Sequence, residues 1–214
     1  MAMYPATAYE TTRTYRHYPA KTRLNQGAYG TCVGNAFMHR RANGPLQIDG
    51  ITEDDAQKLY LEASAIFYGA PDYAMQSGTS ALSACVALMN RGAIDRYEWA
   101  TSPEALRYMV LERGSVCVGS TWYVSMFDTP PDGLGHKYIR YRPESGRAGG
   151  HEYEVVGIDL APADGSKPYY DILNSWGPDW ADNGKARIEL AHLEELAFTG
   201  WGDAVLIHEL PRAA

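Results

Sequence analysis

Of the three cysteines in the chain, at positions 32, 85 and 117, the first lies where a sulfur could act as a nucleophile. Cys32 opens a stretch in which Val33, Ala36, Phe37 and Arg40 fall at helical spacing and Gly44 can end the helix. A thiol in the first turn of a helix faces unpaired backbone N–H groups and the positive end of the peptide dipole, which favour thiolate over thiol. Glycines at 27, 30 and 34 let the backbone turn sharply and leave room for a substrate beside the sulfur. Gln26, six residues upstream, can reach back over that turn with its side-chain amide. Its N–H and the backbone N–H of Cys32 would then form an oxyanion hole. Such a group attacks a carbonyl carbon and stabilises the oxyanion that develops there.

A thiol nucleophile needs a base. His151 opens a predicted strand just after two glycines, so its ring can face open space. Asn174 ends a later strand and is followed by Ser175, Trp176 and Gly177. An asparagine carbonyl accepting from one imidazole nitrogen would fix the tautomer and leave the other nitrogen for sulfur. The indole of Trp176 would shield that bond from water. Singly, each residue has a plain reading: a packed cysteine, a surface histidine, a turn with a buried indole. Together, in this order and with Gln26 upstream, they point to chemistry. His39 lies seven residues along the same helix as Cys32, about 10 Å away by helical rise, too far to activate it. His136, in DGLGHKYIRY, matches no motif, and His17, His192 and His208 read as surface residues.

These groups need elements to hold them. The first half reads as helices: one from Cys32, one capped by Thr52 and carrying Leu59, Ala63 and Ile66 on one face, one over about 80–90 with Leu82, Val86 and Met89 apolar, and one capped by Ser102 that ends before Gly114. After Gly114 the period becomes that of strands: SVCVGS, HKYIRYR, HEYEVVGIDL, YYDILNSW, KARIEL and DAVLIHEL, with a short helix around 192–197. A helical part followed by a strand part suggests an α+β fold of two lobes with a site in the cleft between them.

The chain has 214 residues, 45% hydrophobic and 21% charged, the balance of an ordinary globular protein. A net charge of −7 argues against nucleic acid as a partner, and 16 tyrosines read as core and rim packing rather than a base-stacking platform. No apolar run approaches the roughly 20 residues that cross a bilayer, and the N-terminal stretch lacks the apolar core of a secretory signal. An odd, low cysteine count is not a disulfide framework, and no zinc-ligand spacing occurs. Cys85 and Cys117 are expected as inert core residues, and neither metal nor cofactor is expected.

QG-x-x-G-x-C (26–32), GGH-x-x-x-VVG (149–157) and NSWG-x-x-W-x-x-NG-x-x-R-I (174–188) come in the order of the papain-like cysteine peptidases, which the chain resembles from about Thr22 to Ile207. His151 and Asn174 lie 119 and 142 residues after Cys32. SGTSALSACVALMNRGAI is similar to the cleft-edge glycine and helix of bacterial and phage members. The resemblance implies a helical left lobe (about 22–113) and an antiparallel barrel-like right lobe (about 114–209) in one domain over 1–214. It further implies Cys32 as nucleophile, His151 as general base and acid, Asn174 as orienter and Gln26 as oxyanion donor. By the same resemblance Gly78, Gly119, Gly150, Trp176 and Trp180 lie along the substrate cleft, and the substrate is a peptide or protein.

The chain departs from the secreted members in having Tyr29 where they carry a cysteine and Val33 where they carry a tryptophan. With no recognisable signal, this suggests a cytoplasmic or other reducing compartment, or delivery by another route, as in a virion. Gly119 and Gly150 suggest a roomy pocket with no fixed charge. Glu152 and Glu154 share a strand face opposite His151, either solvated or paired with a cation such as Arg187. Two other functions use the same residues: an inactive peptide-binding module, and a thiol amidase or acyltransferase acting on a non-protein amide.

Overall fold

The computed structural model describes residues 2–3 and 11–210, so the expected domain range of 1–214 includes positions at both ends that lie outside the described residues. Helices α1 (Cys32–Asn43), α2 (Glu53–Tyr68) and α3 (Ala81–Asn90) pack on one another. Local chemistry sets their ends. The Thr52 backbone N–H and hydroxyl both donate to Asp55 Oδ2 at 3.0 Å, and three acidic residues occupy the first turn of α2. Ser80 Oγ accepts from the Ser83 N–H at 3.2 Å to start α3.

Close approach decides which faces are buried. A Cβ at Gly34 would lie 2.2 Å from the Ala56 carbonyl oxygen, so this glycine lets α2 pack against α1. That corrects its reading as space for a substrate. On α3 the small residues Ala81, Ala84 and Cys85 are buried with Leu88, while the larger Leu82 and Met89 face outward. Ile66 on α2 is likewise exposed, whereas Leu59 and Ala63 are buried.

Helix α4 (Pro103–Tyr108), capped by Ser102, continues as a π-helical turn over Met109–Arg113 before Gly114. The strands are β1 (Ala2–Met3), β2 (Tyr15–His17), β3 (Ile94–Trp99), β4 (Val116–Tyr123), β5 (Arg147–Asp159), β6 (Tyr169–Leu173), β7 (Lys185–Glu189) and β8 (Asp203–Glu209), with α5 (Leu190–Phe198) before the last. They form an open sheet in the order β1-β3-β8-β4-β5-β6-β7, with β2 added to β5. All described pairings are antiparallel except β1 with β3.

Two strand expectations need correction. β3 belongs to the sheet although it precedes Gly114, because its backbone pairs with β8 rather than continuing from α3. HKYIRYR forms only isolated bridges. It drapes along β7, with Ile139 N–H donating to Arg187 O and Arg187 N–H to Lys137 O, both at 2.8 Å, while Arg140 N–H turns away to Asp128 O.

One apolar cluster joins the sheet to α4, the π turn and α5 through Leu106, Val118, Tyr153, Ile172 and Leu193. Another joins α1–α3 to the other face through Phe37, Leu59, Leu88, Cys117 and Val205. Among the described residues no helix is long and apolar enough to cross a membrane.

Glu154 lies between α1 and the sheet. It is neither solvated nor paired with Arg187, which instead faces Asp164 and Asp171. Its carboxylate accepts from Ser115 Oγ at 2.6 Å and Asn43 Nδ2 at 2.9 Å. Burial outweighs these bonds and pushes its pKa from 4.5 up to about 7. A carboxyl that ionises later when folded than when unfolded loses stability as pH rises from its unfolded value to its folded one. Stability relative to Glu154→Gln is therefore expected to fall between about pH 4.5 and 7 and then level off, as read by urea denaturation across that range. A flat difference would contradict this reading.

Candidate active site

Cys32 is the first residue of α1, and no side chain caps that helix. The Thr31 hydroxyl instead accepts from Asn35 Nδ2 at 3.1 Å, which leaves the first-turn N–H groups without a side-chain acceptor. Cys32 and His151 line one cavity of about 480 Å³ bounded by the start of α1, the end of α2, the segment leading into α3, and strands β4, β5 and β8.

His151 Nε2 and Asn174 Oδ1 are 2.7 Å apart. Because Oδ1 also accepts from the Ser175 N–H at 2.8 Å, it is the amide oxygen, so the imidazole donates through Nε2. Nδ1 is left for a group in the cavity. The Trp176 ring stacks on the imidazole at 5.1 Å and 24°, and Trp122 meets it edge-on at 4.8 Å. These two indoles and the bond to Asn174 fix the orientation of the ring.

Gln26, which does not itself line the cavity, is held against the segment after Asn174 by backbone bonds between distant parts of the chain. Its N–H donates to Ser175 O at 2.8 Å, Gly177 N–H donates to Leu24 O at 3.1 Å, and Asn25 bridges Trp176. The Ser175 hydroxyl donates to Gln26 Oε1 at 2.6 Å, and the Tyr29 carbonyl at the other end of the amide, which can only accept, fixes that end as the nitrogen. Gln26 Nε2 donates one hydrogen to Tyr29 O at 2.6 Å and keeps a second. Ser175 stood in the sequence beside Asn174, but its hydroxyl's reach to Gln26 depends on these tertiary bonds.

Burial governs the charges. It pushes the Cys32 thiol up to about 11, with the Glu152 charge adding to the rise, while the N–H groups of Glu152, Val33 and Cys32 oppose it. Burial also drives His151 down to about 4 against the opposing bond from Asn174. The N–H groups at the helix start do favour the thiolate, but burial outweighs them.

Gly78, Gly119 and Gly150 line the same cavity. Trp176 and Trp180 do not: they meet each other edge-on at 5.3 Å and pack against the sheet's apolar cluster. Gly27 makes a turn at φ +59°, and a Cβ on Gly30 would come within 3.1 Å of Gln76 O. His39 is buried, accepts the Leu24 N–H at 2.8 Å and is held down to about 3 by burial. His136 pairs with Asp164, His17 with Asp171 and His208 with Glu98. All three cysteines are free, and burial raises the thiols of Cys85 and Cys117.

The cavity does hold ionisable carboxyls, contrary to the expectation of a pocket without fixed charge. In the sheet Gly119 stands between Glu152 on β5 and Asp203 on β8. Residues directly opposite on neighbouring strands share a face, and glycine leaves that face open. Glu152 Oε2 and Asp203 Oδ1 lie 2.6 and 2.9 Å from the point a Cβ at 119 would occupy. Burial pushes Glu152 well up, with the Asp203 charge adding, and pushes Asp203 up to about 6 against its bond from Gly119 N–H. Sequence reading passed over Asp203, because nothing local marks a residue whose partners come from two other strands.

No protein-family model and no curated protein sequence matches the chain. Solved structures do. Xylellain, a cysteine protease from Xylella fastidiosa, superposes with a TM-score of 0.69 at 15% identity over 97% of this chain and 90% of that one. Digestive procathepsin L 3 from the larval midgut of Tenebrio molitor gives 0.66 at 16% identity, over 95% and 72%. The ragweed pollen allergen Amb a 11, a cysteine protease in its proform, gives 0.62 at 15%, over 96% and 62%. The fold is the papain-like α+β fold.

Proposed function

We propose that this chain is a cysteine endopeptidase that hydrolyses peptide bonds through a thioester, with 1–214 acting as one domain whose lobes (about 22–113 and 114–209) supply Cys32 and His151 respectively. The observation that carries this reading is the 2.7 Å bond between His151 Nε2 and Asn174, in a ring that lines the same cavity as Cys32. The second hydrogen of Gln26 Nε2 supports it further.

In this mechanism Nδ1 of His151 takes the thiol proton and Sγ of Cys32 attacks the scissile carbonyl. The oxygen becomes an oxyanion, held by the Cys32 N–H and Gln26. His151 then protonates the departing amine. In the second half His151 takes a proton from water, hydroxide attacks the thioester, and Sγ leaves. Asn174 keeps the ring aligned through both transfers. Gly78, Gly119 and Gly150 border the peptide, while Trp176 and Trp180 wall off the imidazole side. The substrate is a peptide or protein, and the free cysteines suit a reducing compartment.

The pH dependence of alkylation tests the pair. Iodoacetamide is expected to modify Cys32 at a rate that persists well below pH 8.5, the ordinary thiol range. The rate is lost only as pH falls through about 4, where His151 gains its own proton and can no longer take one from sulfur. In His151→Ala the reaction should move to the alkaline side, toward the value of about 11 that burial sets for Cys32. A native profile that follows an ordinary thiol would favour a peptide-binding module. A native profile as expected, with no peptide cleaved, would favour an amidase or acyltransferase.

A further inference from the structure

We propose that the end of the cavity formed by Glu152 and Asp203 takes a cationic side chain, that of arginine or lysine, from the peptide substrate. This rests on the peptidase reading above and names the substrate class for it.

The sheet builds the feature. Gly119 on β4 pairs with Glu152 on one side and Asp203 on the other, so both carboxyls project from the same face. Any side chain at 119 would occupy the space into which they lean. Glu152 is only 4% exposed, and its Oε1 has no hydrogen-bond partner among the described residues. A buried carboxyl oxygen without a donor is costly unless a ligand supplies one. Both acids line the cavity that contains Cys32 and His151, so a side chain that fills it belongs to a residue close to the scissile bond.

The rest of the cavity suits a long aliphatic stem with a charged end. Phe67, Tyr68 and Trp201 line it as exposed rings, Trp201 at 80%. Aromatic faces cover methylenes and attract cations. The cavity's own cation, Arg147, lies over the Trp201 ring at 5.5 Å, and among the described residues it forms no ion pair with either carboxyl. An acidic substrate side chain would meet two carboxyls that already repel each other's charge. A neutral apolar one would leave Glu152 Oε1 without a donor. Guanidinium offers five donors in a planar fork and can serve both acids, and lysine offers three from one point.

The test varies one substrate position at a time in a fluorogenic peptide set, then compares arginine with citrulline, its uncharged isostere, at the responsive position. The native chain is expected to prefer arginine by about 10- to 100-fold in kcat/KM. In Glu152→Gln/Asp203→Asn the ratio should approach one. The ratio is read within each protein, so a change in overall rate does not affect it. If the double variant does not fold, Asp203→Asn alone decides, with a fall of several-fold expected. No preference for arginine at any position, or a preference that survives these substitutions, overturns the proposal. Binding separates this proposal from the peptidase reading. Cys32→Ala should bind the arginine peptide more tightly than the citrulline peptide by fluorescence anisotropy, whether or not the native chain cleaves either. Equal affinities, or no binding, also overturn the proposal.

Discussion

Cys32→Ala is expected to hydrolyse a peptide substrate on the order of 10⁵-fold more slowly than the native chain. No other group in the cavity can form the thioester: Cys85 and Cys117 are buried, and neither lines it. Without sulfur, only direct attack by water remains, helped by whatever the oxyanion donors contribute. His151→Ala should cost nearly as much, because burial then holds the thiol proton in place with no acceptor beside it. The two losses should not add, since nucleophile and base act in one step. Single-turnover rates on one peptide, with the double variant as the limit, measure this directly. A Cys32→Ala chain within tenfold of native activity would refute the mechanism.

Gln26→Ala should lower kcat by about 100- to 1,000-fold and change KM little, because its amide meets the substrate oxygen chiefly when that oxygen carries charge. The geometry makes this specific. Ser175 Oγ holds Gln26 Oε1, so rotation of the amide cannot bring oxygen to the oxyanion without breaking the 2.6 Å bond. Gln26→Glu should be at least as damaging, since a carboxylate would repel the charge that forms. Steady-state kinetics of both variants provide the measurement. A rise in KM with kcat unchanged would mean that Gln26 binds substrate uniformly and does not act on the transition state.

Much of the local architecture was legible because its causes are local. Thr52 with Asp55, and Ser80 with Ser83, start α2 and α3 through bonds that span three residues, so the sequence shows them directly. Alternation marked β4, β5 and β6 for the same reason. HKYIRYR has the same composition but pairs only at isolated bridges, and composition cannot tell an edge segment from a strand. On α3 the buried face is the one with small residues. Apolar size alone singled out Leu82 and Met89, which face outward while Ala84, Cys85 and Leu88 join the core shared with α1 and α2.

The sequence by itself determined which groups exist and in what order: a cysteine at a helix start, a histidine in a strand that the structure begins four residues earlier, an asparagine at a strand end and a glutamine upstream. Local propensity and capping set those elements, and the resemblance of three motifs to those of a known family implied one fold for them. Only the tertiary structure decided what each group meets. Backbone pairing of 24–26 with 175–177 brings Gln26 to Ser175, and stacking of β8, β4 and β5 sets two carboxyls across Gly119. Charge follows from the same cause. Desolvation by the assembled lobes, which no short segment contains, raises the thiol of Cys32 and lowers the imidazole of His151.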